Sequence, residues 1–149
     1  MRAGAALVAV GVVCLALSAC AGTGTGKSYT SLEDLLAQSS SSSDAPRAFS
    51  KRTPLEPCGP FESSQAETPE ELFDCLNSAA SNGTEAVLVS YTVEGDPLVR
   101  YYRWVPGGEH VEVFTDGSFD SYGGSWSLSV CPPPEKLEHL EACEHQMTY

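Results

Sequence analysis

Two short polar segments bring together residue types that bind cations. Their four carboxylates are Glu94, Asp96, Asp116 and Asp120. In an antiparallel meander the first turn and the exit of the third strand lie at one end of the sheet, so these side chains are expected to converge. Carboxylate oxygens in flexible loops suit Ca²⁺. The pattern predicts a calcium site, with the alternative that these residues only form turns and that Arg100 or Arg103 neutralises them.

One predicted strand is dense in aromatic residues, namely Tyr101, Tyr102 and Trp104. Tyr102 and Trp104 share one face of that strand, and Tyr101 lies on the other. One face must pack on a helix. If the other face is exposed, it forms a platform for a peptide or a glycan. The alternative is that all three side chains belong to the core.

Neither the serines nor the histidines belong to a recognisable catalytic motif. His110, His139 and His145 have no metal-ligand spacing, and no nucleophile elbow is present. Residues 21–28 fit a relaxed phosphate-loop pattern, but no buried strand precedes them, so they are interpreted as a spacer and no nucleotide is expected. No catalytic residue is assigned, and Ca²⁺ is the only cofactor considered.

Six cysteines divide into two near the N-terminus and four beyond it: Cys58, Cys75, Cys131 and Cys143. In a small domain that is exported, as the N-terminus described below indicates, four cysteines are typical of two disulfides, for which three pairings exist. Three prolines follow Cys131, and a short helix would return the chain to Cys143, which favours that local bridge. By exclusion Cys58 pairs with Cys75.

The elements that position these residues predict an α+β domain. Thr68 and Pro69 begin a helix over residues 69–81, which Gly83 terminates. Alternating apolar residues and short turns then predict a four-stranded antiparallel meander, with this N-terminal helix packed on one face. The strands cover residues 86–93, 98–105, 109–115 and 126–130. A short C-terminal helix is expected over residues 135–143.

Charge is concentrated in that domain. The chain of 149 residues has a net charge of −12, and residues 55–149 carry 17 acidic against 3 basic residues, a net charge of −14. This excludes nucleic acid as a partner, since nucleic-acid binding needs a basic surface. An acidic surface favours cationic peptides or metal ions, although it also serves solubility alone.

The N-terminus resembles an export signal. Arg2 precedes an apolar run over residues 5–17, which is short for a membrane span. Leu17-Ser18-Ala19-Cys20 resembles the lipobox of bacterial lipoproteins. That resemblance implies removal of a signal peptide over residues 1–19 and acylation of Cys20 as a membrane anchor. Residues 20–54 are then predicted to be the lipidated cysteine and a flexible tether, in which Ser31 caps one or two helical turns, and residues 55–149 form the globular domain.

A second resemblance covers roughly residues 70–131. The stretch YTVEGDP over residues 91–97, followed by Tyr101-Tyr102-Arg103 and Phe114-Thr115-Asp116, is similar to a family of small bacterial lipoproteins, actinobacterial members above all. Their domain has no assigned function. The resemblance implies export, lipidation with fatty acids such as palmitate, and a small α+β fold; it implies no activity.

These observations predict a lipid-anchored binding or interaction module on the outer face of the bacterial cytoplasmic membrane. Its expected partners are the membrane, through Cys20, and an envelope protein, cationic peptide or glycan. The alternative is a structural envelope protein that binds divalent cations. A small hydrolase is the third hypothesis.

Overall fold

A computed structural model describes residues 27–64, 67–78, 81–133 and 143–149. Within these ranges the chain forms three helices and six strands. They are α1 (Leu32–Ser40), α2 (Arg47–Ser50), β1 (Glu56–Ser63), α3 (Glu70–Ser78), β2 (Thr84–Tyr91), β3 (Pro97–Trp104), β4 (Val111–Asp116), β5 (Trp126–Cys131) and β6 (Glu144–Thr148). All six strands belong to one mixed sheet, in the order β1-β2-β3-β4-β5-β6. The predicted signal peptide over residues 1–19 and Cys20 lie outside the described residues.

The predicted four-stranded meander forms the middle of this sheet. β2 to β5 pair antiparallel with their sequence neighbours, so that Tyr101, for example, stands between Val87 and Phe114. Apolar side chains alternate between the two faces along each strand, and both faces are buried. The α+β class is therefore confirmed, and the central strands follow from the alternation in the sequence.

The prediction of only four, purely antiparallel strands is wrong, because a strand is added at each edge. β1 pairs parallel with β2, and β6 pairs antiparallel with β5. A parallel pair needs a long crossover, which α3 supplies in a β1–α3–β2 unit. β1 was not recognisable because its register shifts between Cys58 and Phe61, where Gly59 and Pro60 interrupt the alternation; such a strand is tolerated at a sheet edge.

The predicted helix after Pro69 covers one face of the sheet. α3 runs over Glu70–Ser78, and residues 79–80 of the predicted span lie outside the described part. Leu72 and Leu76 are completely buried in a core cluster with Tyr102 and Trp104. The predicted C-terminal helix falls almost entirely on residues 134–142, which are also outside the described part; the chain beyond Cys143 is strand β6.

The other face is covered by residues that were predicted to be a tether. α1 and α2 pack on the sheet, and Leu35 and Phe49 are completely buried in a second core cluster with Tyr101 and Trp126. The prediction of a flexible tether is therefore wrong for residues 27–54. Sheet faces rich in apolar side chains must be covered, and this segment supplies the cover.

α1 begins at the predicted cap. The Ser31 hydroxyl accepts a hydrogen bond from the Asp34 backbone N–H at 3.2 Å. The Asp34 carboxylate accepts hydrogen bonds from the Gln38 amide and from the backbone N–H and hydroxyl of Thr30. These hydrogen bonds, that of Gln38 above all, lower the pKa of Asp34. The carboxylate therefore stays charged near the positive end of the helix dipole, where it stabilises the first turn.

A row of alternating charges fastens the same segment to the sheet. The Arg52 guanidinium makes two hydrogen bonds of 2.7 Å to the Glu85 carboxylate, which also lies 3.0 Å from Arg103. Arg103 in turn contacts Glu112 at 3.1 Å and donates to the Thr53 carbonyl. Because Glu85 is 13% exposed and stands between two arginines, its charge is compensated where it is poorly solvated.

The structure pairs the cysteines as predicted. The Cα atoms of Cys58 and Cys75 are 6.4 Å apart, and those of Cys131 and Cys143 are 4.0 Å apart. The first disulfide joins β1 to α3, and the second joins the end of β5 to the start of β6. Each edge strand is thus covalently attached to a neighbouring element, which limits its release from the sheet.

Candidate functional site

The predicted aromatic platform belongs to the core. Tyr101 is 3% exposed, Tyr102 is completely buried, and Trp104 is 8% exposed. Tyr101 packs under α2, where the Phe49 ring centroid lies 4.6 Å away, while Tyr102 and Trp104 pack near α3. The division between faces is as predicted, but the prediction of an exposed binding face is wrong because α1 and α2 cover it.

The predicted calcium cluster does not form either. Asp116 is completely buried, and its carboxylate accepts hydrogen bonds from the Ser39 hydroxyl at 2.8 Å and the Ser118 N–H at 2.9 Å. Asp96 accepts from Ser121, and Asp120 accepts from the backbone N–H of the residue two positions later. Each of these three carboxylates therefore satisfies nearby donors instead of sharing a cation.

Glu94, the fourth residue of that prediction, is exposed in the turn between β2 and β3. Among the described residues, which include all four carboxylates, no group of three or more His, Cys, Asp or Glu side chains can hold a metal ion. The two polar segments do meet at one end of the sheet, as predicted, but through the hydrogen bonds between Asp96 and Ser121.

A cavity of about 690 Å³ lies at the end of β2 and the start of β3. Seven of the described residues line it: Ser64, Ser90, Tyr91, Thr92, Val93, Leu98 and Arg100. The volume falls within the range of pockets that hold small molecules. Four of these side chains carry a hydroxyl and one carries a guanidinium, and Val93 and Leu98 are apolar. The described lining therefore offers hydrogen-bond donors and one positive charge, and none of these seven side chains is a carboxylate.

Arg100 is the charged residue in the described lining of this cavity. Its Nη1 atom donates a hydrogen bond to the Ser90 hydroxyl. The guanidinium also borders a second cavity of about 150 Å³, together with Thr115 and Ser129. Within the part of the chain that the structure describes, Arg100 forms no ion pair, whereas Arg52 and Arg103 are both paired. A half-buried guanidinium with free hydrogen-bonding capacity is suited to an oxyanion.

Sequence reasoning assigned Arg100 only as a possible neutraliser of the acidic turns. A more specific signal was present: Arg100 lies on the same strand face as Leu98 and Tyr102, and Tyr102 is buried in the core. A cation on an inward-facing position, in a domain with few basic residues, indicates a site. The cavity itself was not predictable, because it depends on where β1 ends beside β2.

The remaining predicted site is the acylated cysteine, and Cys20 lies outside the described residues. None of the helices in the described ranges has the length and apolar composition needed to span a bilayer. No protein-family model matches the chain, and no curated protein or solved structure shows significant similarity to it.

Proposed function

We propose that this protein is an exported bacterial lipoprotein, anchored to the membrane through Cys20, whose domain binds a small anionic ligand at Arg100. The observation that carries the ligand assignment is the cavity of about 690 Å³ with a single, half-buried guanidinium in its wall. The resemblance of residues 17–20 to a lipobox supports the anchor and a position on the outer face of the cytoplasmic membrane.

The lining defines the ligand class. A carboxylate or a phosphate can accept two parallel hydrogen bonds from a guanidinium, and hydroxyls such as those of Ser90 and Thr92 can donate further ones. Leu98 and Val93 give the same cavity apolar walls. The ligand is therefore an oxyanion with an apolar portion. The net charge of −14 in residues 55–149 repels anions generally, so binding depends on Arg100 locally.

The ligand assignment is tested by thermal unfolding with three probes: octanoate, octyl phosphate and octylammonium. We expect the two anions to raise the melting temperature, because a ligand that binds only the folded state stabilises it. The cation should not. Arg100→Gln should abolish the shift, and Arg100→Lys should weaken it because the forked donor is lost. Arg47→Gln is the matched control, since Arg47 is exposed on α2, on the other side of the sheet.

Equal shifts for the anions and the cation, or an unchanged shift in Arg100→Gln, would exclude Arg100 as the binding group. The anchor is tested separately, by incorporation of a clickable palmitate analogue in bacteria that express the full chain. Cys20→Ala should lose the label and release the protein from membranes, whereas Cys14→Ala should keep both. Equal labelling of the two variants would refute acylation at Cys20.

A further inference from the structure

Within the described residues, most of the large exposed apolar side chains lie at one end of the sheet. Four large hydrophobic residues are exposed in the described part: Val93, Val105, Tyr122 and Tyr149. Val93 lies in the β2–β3 turn and Tyr122 in the β4–β5 connection. Tyr149 follows β6, and its backbone N–H donates to the carbonyl of Trp126, the first residue of β5. These three residues, which we term the apolar end, are opposite Val105, which follows β3.

The apolar end is held in shape by hydrogen bonds between its segments. The Asp96 carboxylate, in the β2–β3 turn, accepts hydrogen bonds of 2.9 and 3.0 Å from the backbone N–H and hydroxyl of Ser121. Ser121 is adjacent to Tyr122 in the β4–β5 connection. The two most exposed side chains of the group, Val93 and Tyr122, are therefore presented on connected segments.

The described chain also begins at this end. The Lys27 ammonium lies 5.6 Å from the ring centroid of Phe119, in the β4–β5 connection, and Tyr29 packs edge-on against the same ring at 6.1 Å. Cys20 precedes Lys27 by seven residues, and a fully extended chain covers at most about 3.6 Å per residue. The anchor point can therefore lie no more than about 25 Å from Lys27.

We infer that the apolar end rests on the surface of the bilayer that holds the Cys20 lipid. This rests on the proposed acylation of Cys20. Tyrosine is enriched at membrane interfaces because its ring is apolar and its hydroxyl is polar, which suits Tyr122 and Tyr149. A short covalent link raises the effective concentration of the surface near these side chains, so weak contacts are sufficient. Glu94 and Lys27 at this end carry opposite charges, so the contact does not depend on anionic lipids and is tested with zwitterionic headgroups.

The test places a tryptophan at each end of the sheet in the full, acylated chain. Tyr122→Trp reports on the apolar end, and Val105→Trp is the matched control at the other end. Both variants are reconstituted into phosphatidylcholine vesicles with and without bromine on the acyl chains, and bound protein is isolated by flotation. The native Trp104 and Trp126 are buried and give the same background in both variants.

We expect brominated lipid to reduce the added emission of Tyr122→Trp by about half and to leave that of Val105→Trp unchanged. Equal quenching of the two variants, or none in either while the protein floats with the vesicles, would overturn the membrane contact and leave the anchor intact. Failure to float would refute the anchor and the contact together. If the tryptophan of Tyr122→Trp is not quenched by brominated lipid and the protein is dimeric, the apolar end would instead contact a second copy of the chain.

Discussion

Replacing Phe49 tests the largest difference between the sequence-based expectation and the structure. If residues 27–54 are a folded layer, Phe49→Ala must destabilise the whole domain. The Phe49 ring is completely buried, with ring centroids of Tyr101, Trp126 and Phe114 at 4.6, 4.7 and 5.5 Å. The Arg52 guanidinium lies 3.6 Å from the centre of the same ring. A flexible tether would have none of these contacts.

The expected magnitude follows from the loss of a buried aromatic ring. Phe→Ala changes in cores cost about 3–5 kcal/mol, and aromatic pairs add about 0.5–1.5 kcal/mol beyond the buried area. We expect Phe49→Ala to lower the free energy of unfolding by about 4 kcal/mol, a large part of the roughly 5–15 kcal/mol of a typical domain. The loss also leaves Arg52 without its stacking partner, although its ion pair with Glu85 remains.

Urea unfolding of the oxidised, non-acylated Cys20→Ala chain, followed by tryptophan fluorescence, measures this loss. Trp126 lies in the affected cluster and Trp104 lies on the other face, so coincident transitions show cooperative unfolding. Arg47→Ala is the control on the same helix, because Arg47 is exposed and should change stability by less than about 0.5 kcal/mol. A loss below about 1 kcal/mol for Phe49→Ala would mean that this segment contributes no packed layer.

Three further predictions concern charge, pH and covalent links. Glu85→Gln should cost about 3 kcal/mol in the same unfolding assay, because it leaves two poorly solvated arginines without their shared carboxylate; an unchanged midpoint would contradict this. Burial raises the pKa of Tyr101 to about 12, above the usual value near 10. The contribution of this group to the free energy of unfolding is therefore complete below pH 10 and is lost as the pH rises toward 12. Between about pH 9 and about pH 11, the free energy of unfolding of the native chain should fall by about 1.3 kcal/mol more than that of Tyr101→Phe. An identical pH dependence in the native chain and the variant would refute the assignment. Replacing Cys131 and Cys143 together by serine should cost about 3 kcal/mol through the entropy of the unfolded chain, and no change in the urea midpoint would argue that the bridge is dispensable.

The features that the sequence predicted are those encoded by local pattern. The meander follows from alternating apolar residues, the helix after Pro69 follows from its cap and its apolar stripe, and the disulfide pairing follows from chain geometry. The missed features depend on distant contacts. The cap of α1 was predicted, but its place in the core was not: a helix of nine residues is too short to be stable alone, and packing of Leu35 on the sheet stabilises it.

The serine run over residues 39–43, which begins inside α1, illustrates the same point. Its composition is typical of a spacer, yet Ser39 is completely buried because its hydroxyl donates to Asp116, a residue 77 positions away in the chain. Composition cannot reveal a partner at that separation. Asp116 was predicted to bind a metal because its turn was expected to converge with the first turn of the meander, and its partner Ser39 lies in the predicted tether. The boundary predicted after residue 54 is therefore wrong, because residues 27–54 pack on the sheet.

Correcting that boundary changes what the proposed anchor implies. A flexible chain of 34 residues would have a root-mean-square reach of about 30–35 Å and would let the domain turn freely above the bilayer. A link of seven residues allows at most about 25 Å and holds one end of the sheet near the surface. Thr92 and Val93 belong both to that end and to the wall of the Arg100 cavity. If the apolar end rests on the bilayer, this cavity wall faces the membrane. The arrangement therefore favours an anionic amphiphile that arrives from the lipid phase over a polymer that arrives from the envelope.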